Sequence, residues 1–174
     1  MKHTLCEPYS KDIISEFQVG DTIYVSGTIY AARDAAHKKL QGMIEGGEAL
    51  PFDLQNAIIY YAGPTPARPG YPIGSAGPTT SYRMDPYTPL LLDRGVLATV
   101  GKGPRGDEVI KSIQKNGSVY LAAIGGAAAL IAQCVRSSEV VAFAELGTEA
   151  IRKLVVQDLP LIVAIDSRGE SIYR

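Results

Sequence analysis

The chain has few residues of the two types that most often bind transition metals in proteins. Its 174 residues include two cysteines and two histidines. Cys6 and Cys134 lie far apart, and there is no C-x-x-C pair or Cys/His cluster, which argues against a structural zinc site. An iron–sulfur cluster normally takes three or four cysteine ligands, so this chain alone cannot supply them. We therefore expect no metal-binding residues in it.

The motifs of several common enzyme classes are also missing. Neither His3 nor His37 belongs to an evident nucleophile–base pair, so a self-sufficient hydrolase is not expected. The segment VGKGPRG differs from the phosphate-binding pattern G-x-x-x-x-G-K-[ST]. The segment AIGGAAAL lacks the G-x-G-x-x-G spacing of a dinucleotide site. A stand-alone α/β enzyme would need one of these features.

The chain has neither a strong charge imbalance nor a long apolar run. Its net charge is -1 and its isoelectric point about 6.1, which gives no electrostatic reason to expect nucleic-acid or anionic-membrane binding. The most apolar stretch, residues 119–135, contains a Gly-Gly break and falls short of the ~20 residues of a membrane span. It predicts a buried strand followed by a buried helix. The start shows no signal-peptide pattern, so we expect a cytoplasmic protein.

Apolar patterning predicts alternating strands and helices. With 46% hydrophobic and 20% charged residues, the sequence suits one globular domain spanning residues 1–174. The predicted strands are 21–29, 57–64, 96–103, 118–125, 139–146 and a final strand from 159 that ends in an Asp-Ser-Arg-Gly turn and a short return. The predicted helices are 32–47, 87–95, 107–117 and 126–135, with a brief helical turn at 148–154. This order predicts an α/β domain with a parallel or mixed central sheet and flanking helices.

Arg33 is the first candidate binding residue, because it lies where the first predicted strand meets a helix. Ligands of α/β sheets gather beyond the carboxyl ends of the strands. A cation is mildly unfavourable at a helix N-terminus, so helix design does not explain Arg33, whereas it does explain the neighbouring Asp34. His37 follows one turn later and can face the same side. A solvated arginine paired with an acidic neighbour is the competing interpretation.

Two further candidates lie in Gly-rich segments. Thr79, Thr80 and Arg83 close a long Gly/Pro loop over residues 63–81, and hydroxyls beside a planar guanidinium suit a carboxylate. Lys102 lies between two glycines at a predicted strand end, where backbone and ligand can approach closely. A rigid surface loop and an ordinary exposed lysine are the alternatives. Taken together with Arg33, these residues suit a small dianion such as a dicarboxylate.

The segments that carry these residues also carry a family resemblance. VGDTIYVSGTIYAARDAAHKKL, YYAGP, SAGPTTSYRMD, VGKG, AIGGAAAL and PLIVAIDSRG occur in this order and spacing. They resemble the β subunit, or C-terminal domain, of the iron–sulfur-dependent class I fumarases and L-tartrate dehydratases. The match covers most of the chain. The resemblance implies a swivelling β/β/α-type domain that packs over an α subunit. That α subunit would hold a [4Fe-4S] cluster on three cysteines, in an α2β2 assembly.

The resemblance also implies an activity and roles for the candidate residues. The activity is the reversible hydration of fumarate to L-malate. Arg33, Arg83 and Lys102 match carboxylate-binding positions of the family, and Thr79 and Thr80 match its substrate-contacting threonines, with Thr79 as the candidate for a part in proton abstraction. His37 matches the histidine of an R-D-x-x-H segment and is either an acid/base or an orienting residue. The alternatives are the same chemistry on L-tartrate and a non-catalytic ligand-binding domain.

Overall fold

The computed structural model describes residues 1–123 and 128–173. The strands are β1 (Lys2–Cys6), β2 (Thr22–Ala31), β3 (Ile58–Tyr60), β4 (Ala98–Gly101), β5 (Val119–Ala122), β6 (Val135–Ala142) and β7 (Ile151–Ile165). The α-helices are α1 (Lys11–Ile14), α2 (Asp34–Glu45), α3 (Thr88–Asp93), α4 (Asp107–Asn116) and α5 (Ala128–Cys134). Two 3-10 helices span Ser81–Met84 and Ala144–Glu149.

The strands form one mixed sheet that partly closes on itself. Neighbours from β1 to β5 pair in parallel and in chain order, whereas β7 pairs antiparallel with β2, β5 and β6. Because β7 joins β5 back to β2, the strands β2, β3, β4, β5 and β7 make a closed circuit of pairings. The predicted α/β class, with a mixed central sheet and flanking helices, is confirmed.

Both faces of the central strands are buried, which explains their continuous apolar runs. Successive side chains of a strand point to opposite faces of the sheet. On β3, Ile58 and Tyr60 belong to one apolar cluster, which includes residues of β1, β2 and β7. Ile59 belongs, with Tyr61 just past the strand, to a second cluster, which packs against α2, α3 and α4. Apolar packing on both faces of the sheet therefore holds these strands in place.

Most predicted elements are present, but several segments differ. The helical turn predicted at 148–154 is wrong from residue 151 onward, because Ile151–Leu154 begin the 15-residue strand β7. Its first two residues, Thr148 and Glu149, end the 3-10 helix Ala144–Glu149. Ile151 and Leu154 are spaced as on a helix, but pairing with β2 and β6 on either side fixes the segment as a strand. The strand predicted at 139–146 instead runs from Val135 to Ala142, and β1 was not predicted. Parts of the predicted elements at 118–125 and 126–135 lie outside the described residues.

The apolar stretch at 119–135 contains a strand, β5, and a helix, α5, in the predicted order. The prediction that this helix is buried is wrong, because Ile131 is buried but Leu130 is 49% exposed. Among the helices in residues 1–123 and 128–173, none has the length and apolar character that crossing a bilayer requires.

Candidate functional site

The predicted binding residues lie at one edge of the sheet. β2, β3 and β4 are parallel neighbours, so their carboxyl ends meet at the same edge. Arg33 follows the end of β2, and Lys102 follows the end of β4. The loop after β3 returns to this edge at Thr79, whose amide donates to the carbonyl of Tyr61 at 2.7 Å. The edge is thus built by three separate segments of the chain.

Arg33, Asp34 and Arg83 form an ion-pair cluster at the start of α2. Both Nε and Nη2 of Arg83 lie 2.9 Å from Asp34 Oδ2. Arg33 Nε lies 3.8 Å from the other oxygen, Asp34 Oδ1. Arg33 Nε and Asp34 Oδ1 are both buried and make no hydrogen bond within the described part of the chain. One carboxylate therefore holds two guanidinium groups side by side.

Thr79, Thr80 and Lys102 are joined through their main chains. Thr80 and Lys102 form a parallel bridge, with the Ser81 amide donating to the Lys102 carbonyl at 2.9 Å. The Lys102 amide in turn donates to the Thr79 carbonyl at 3.3 Å. These contacts use backbone groups only, so they do not occupy the hydroxyls of the half-buried threonines or the exposed Lys102 side chain.

Each of the two glycines beside Lys102, Gly101 and Gly103, is required for a different structural reason. A side chain at Gly101 would collide with Ser81 Oγ, and its Cβ would lie 2.8 Å from Tyr61 Cδ2. Gly103 has a φ of 83°, which residues with a side chain rarely adopt. Close packing on one side and a turn on the other therefore fix the position of Lys102.

The 3-10 helix Ser81–Met84 links the ion-pair cluster at α2 to the segment that contains Thr79 and Thr80. It begins directly after Thr80 and carries Arg83, which reaches the ion-pair cluster at α2. The structure thus brings all five predicted substrate-binding residues to one rim: Arg33, Thr79, Thr80, Arg83 and Lys102. Two carboxylates lie beside these cations, Asp34 and Glu149, and Glu149 accepts from the Ala35 amide at 3.3 Å. A third, Asp85, is paired with the buried Arg105. The rim is suited to an anion with more than one carboxylate.

His37 lies beneath this rim and is fully buried. Its Nδ1 lies 2.7 Å from the carbonyl of Arg33, so Nδ1 is the donor. Its Nε2 is buried without a hydrogen-bond partner among the described residues. The ring packs edge-on against Tyr61, with centroids 5.4 Å apart. Burial lowers the pKa of His37 to about 4, so the ring is neutral at pH 7.

Three residues of this region were not identified from the sequence. Asp34 was interpreted as a helix-start charge, but it also pairs with Arg83 across 49 positions of the chain. Arg105 and Asp85 form a pair at 2.7 Å beneath the Lys102 turn, with the Arg105 side chain fully buried. The motif VGKGPRG includes Arg105, but an arginine in a Gly/Pro turn is ordinarily exposed. Nothing in the sequence signals its burial.

The described residues offer no metal-binding group. Across residues 1–123 and 128–173, no three His, Cys, Asp or Glu side chains are placed to share a metal ion. Cys6 is exposed on β1, and Cys134 is half-buried at the end of α5, and both are free thiols. An iron–sulfur cluster does not fit these residues.

Comparison with known proteins shows which family the chain belongs to. Residues 2–174 match the family model described as "Fumarase C-terminus". The chain is 41% identical to "Fumarate hydratase class I, anaerobic" of Escherichia coli over 92% of its own length and 30% of that protein's, and 40% identical to "Fumarate hydratase 2" of Leishmania major over 92% and 28%. It is 44% identical to "Putative L(+)-tartrate dehydratase subunit beta" of Methanocaldococcus jannaschii over 99% and 91%.

These figures describe two kinds of relative. The chain spans under a third of the two fumarate hydratases and nearly all of the archaeal subunit. The family model covers almost every residue, including every residue of the rim. This chain belongs to the fumarase C-terminus family.

Proposed function

We propose that this chain is the β-type part of an iron–sulfur hydro-lyase that interconverts fumarate and L-malate. The observation that carries the proposal is the rim itself. Arg33, Arg83 and Lys102 come from three segments and lie, with Thr79 and Thr80, at the edge where the parallel strands β2, β3 and β4 end. A dicarboxylate matches this arrangement in charge and in its number of hydrogen-bond acceptors.

The cations have a role in the reaction as well as in binding. Dehydration of malate removes a proton from the carbon beside one carboxylate and expels the hydroxyl from the next carbon as water. The negative charge that develops at the first carbon spreads into its carboxylate. A guanidinium or ammonium group held at that carboxylate stabilises the transition state more than the ground state. Arg33, Arg83 and Lys102 are the residues that we assign to the two carboxylates, and Thr79 and Thr80 are assigned to substrate contact.

Thr79 and His37 are assigned different parts of the proton chemistry. Thr79 lies on the rim, so we assign it to the proton-transfer step together with groups of a partner. His37 is buried, and its ring is neutral at pH 7, because burial lowers its pKa to about 4. The geometry favours the orienting role for His37, since Nδ1 donates to the carbonyl of Arg33 at 2.7 Å and so fixes the start of α2. We therefore propose that His37 positions Arg33.

The cluster belongs, in this proposal, to a second polypeptide. The described residues provide no ligand set for it. When bound in the partner, the cluster would supply Lewis-acid chemistry to the substrate. The archaeal relative is named as a subunit and is matched over 91% of its length, which supports a separate β chain. We propose an α2β2 assembly, and a cytoplasmic location in line with the two free cysteines.

L-tartrate is the second candidate substrate. The relative named as a tartrate dehydratase subunit is 44% identical to this chain, against 41% and 40% for two fumarate hydratases. L-tartrate is also a dicarboxylate with a hydroxyl to expel, so the same rim suits it. The difference between the two substrates is one additional hydroxyl group.

A substrate panel tests the proposal. The assembled protein, reconstituted anaerobically, is assayed with fumarate, L-malate and L-tartrate. We expect the highest kcat/KM with the fumarate and malate pair. Preference for L-tartrate would replace the substrate and keep the mechanism, whereas turnover of none of the three by a fully loaded assembly would contradict the proposed function.

A further inference from the structure

We propose that Arg105 is a positioning residue that sets the place of Lys102 relative to Thr79, Thr80 and Arg83. The inference rests on the proposed function, because Lys102 and the threonines are its substrate-binding groups. Arg105 is three residues past Lys102, at the end of the turn between β4 and α4. Its side chain is fully buried, so it acts through other residues and not on the substrate.

The Arg105 guanidinium has a partner for each of its nitrogens. Nε donates to Asp85 Oδ1 at 2.7 Å, and Nη1 donates to Thr99 Oγ1 at 3.1 Å. Nη2 donates to Thr88 Oγ1 at 2.7 Å and to Tyr61 Oη at 3.2 Å. The group also lies against the Tyr61 ring, 5.2 Å from its centroid. This planar fork fixes the group in both position and orientation.

Asp85 ties the Lys102 turn to the segment that carries Arg83. Its second oxygen, Oδ2, accepts from the Gly106 amide at 2.8 Å. One carboxylate thus holds both the Arg105 side chain and the backbone at the end of the turn. Asp85 follows directly on the 3-10 helix that contains Arg83. The pair therefore sets the spacing between two substrate-binding segments, residues 79–83 and 101–103.

A second tie joins the same two segments. The Tyr120 hydroxyl donates to the Gly103 carbonyl at 2.7 Å and lies 2.7 Å from Ser81 Oγ. Arg105 lies over the ring of Tyr120 as well, 4.9 Å from its centroid. The buried polar groups thus form one network beneath the rim, with Arg105 at its centre.

The network is better explained by positioning than by stability. Burying an ion pair costs about as much desolvation energy as the pairing returns, and apolar side chains of similar volume often stabilise a core better. A charged, forked side chain has an advantage where geometry must be fixed in several directions. Errors of about 1 Å in the place of a binding group cost on the order of a hundredfold in rate. Such precision is needed at Lys102, whose side chain is exposed on a short turn.

The test is a double-mutant cycle in the assembled enzyme. Arg105→Lys keeps the positive charge but removes the planar guanidinium group. We expect kcat/KM to fall about tenfold, and the melting temperature to change by no more than a few degrees. In a Lys102→Ala background the same substitution should cost less than about twofold, because the group that Arg105 positions is already gone. Arg168→Lys is the control, since Arg168 pairs with Asp166 at the C-terminal turn, and it should leave kcat/KM unchanged in both backgrounds.

An equal loss from Arg105→Lys in both backgrounds would overturn the proposal and assign Arg105 to general stability. If Arg105→Lys fails to fold, Asp85→Asn replaces it, since it weakens the same pair while keeping the shape of the side chain. The same coupling with Lys102→Ala is expected, and its absence likewise overturns the proposal.

Hydrogen exchange separates this inference from the proposed function. Peptides covering residues 79–85 and 101–106 should exchange at least severalfold faster in Arg105→Lys than in the wild type, while a peptide covering β2 should not change. This result would support the positioning role even if the assembled wild type turned over none of the substrates tested. Unchanged exchange in both peptides would overturn it, whatever the activity.

Discussion

Arg83 and Asp34 are 49 positions apart in the chain, yet Nε and Nη2 of the arginine both lie 2.9 Å from one oxygen of the aspartate. The same carboxylate lies 3.8 Å from Arg33. Two guanidinium groups that would repel each other are therefore held together by one shared anion. The Arg83 side chain is 46% exposed, so its outer face can still receive a ligand.

Asp34→Asn is expected to lower kcat/KM about five- to tenfold while the fold is retained. The charge-assisted contact that it removes is worth ~1.5–3 kcal/mol when buried, and partial exposure reduces that value. The loss should appear chiefly as a higher KM, because the two arginines are no longer held for the substrate. Asp107→Asn is the matched control, since Asp107 is also an acid in the first turn of a helix, α4. Equal effects of the two substitutions would mean that Asp34 acts only through the helix dipole.

Arg33→Ala and Arg83→Ala should each reduce kcat/KM for the dicarboxylate by roughly ten- to a hundredfold. Each substitution removes a charge-assisted contact of ~1.5–3 kcal/mol. Circular dichroism should show an intact fold. Arg94→Ala removes an exposed arginine at the end of α3 and serves as the control. Full activity in both variants would exclude the rim as the substrate site.

His37 should make folding stability depend on pH in the acidic range. Burial lowers its pKa in the folded protein to about 4, below the ordinary value of 6.5. The unfolded chain therefore binds a proton more readily between these values, and stability falls as the pH drops from about 6.5 to 4. The fall attributable to this ring is on the order of 3 kcal/mol.

Urea unfolding at several pH values checks this expectation. His37→Gln should lose that part of the pH dependence, whereas His3→Gln, which leaves the buried ring in place, should keep it. A wild-type slope unchanged by His37→Gln would show that the ring is accessible to protons in the folded state. It would then return to consideration as an acid/base.

Gly101→Ala should damage both stability and activity. The new methyl group would collide with Ser81 Oγ and lie 2.8 Å from Tyr61 Cδ2, so Lys102 and the threonine segment must move apart. Overpacking of this kind costs about 1–3 kcal/mol. Gly42→Ala is the control, since nothing lies within 4 Å of the added atom in α2, and alanine stabilises a helix by up to ~1 kcal/mol relative to glycine. A Gly101→Ala variant as stable and active as Gly42→Ala would contradict the described packing.

The sequence was sufficient to place the rim but not to describe its supports. Alternating strands and helices placed Arg33 and Lys102 at strand ends, and parallel pairing brings those ends together. The partner of Asp34 depends on the path of the long loop over residues 63–81, which periodicity does not predict. The burial of Arg105 depends on Tyr61, Thr88 and Tyr120 closing around it. Such contacts between distant segments leave no local signal.

The incorrect prediction of a helical turn at the start of β7 also results from contacts between distant segments. The residues Ile151 to Leu154 have helical spacing of their apolar side chains, and only the presence of β2 and β6 on either side makes them a strand. Local pattern is reliable where an element buries one face, as in α4, where Val109, Ile110 and Ile113 are buried on one side. It fails where pairing with strands distant in sequence decides the conformation.

In the proposed enzyme, this chain supplies the dicarboxylate-binding rim and another polypeptide supplies the cluster. The most direct measurement is anaerobic complementation, in which this chain, the reconstituted partner and the two combined are each assayed with fumarate. We expect turnover only in the combination, and we expect that turnover to be lost when the chain carries both Arg33→Ala and Arg83→Ala. Turnover by this chain alone, or full activity of the partner without it, would show that the two polypeptides do not divide the site in this way.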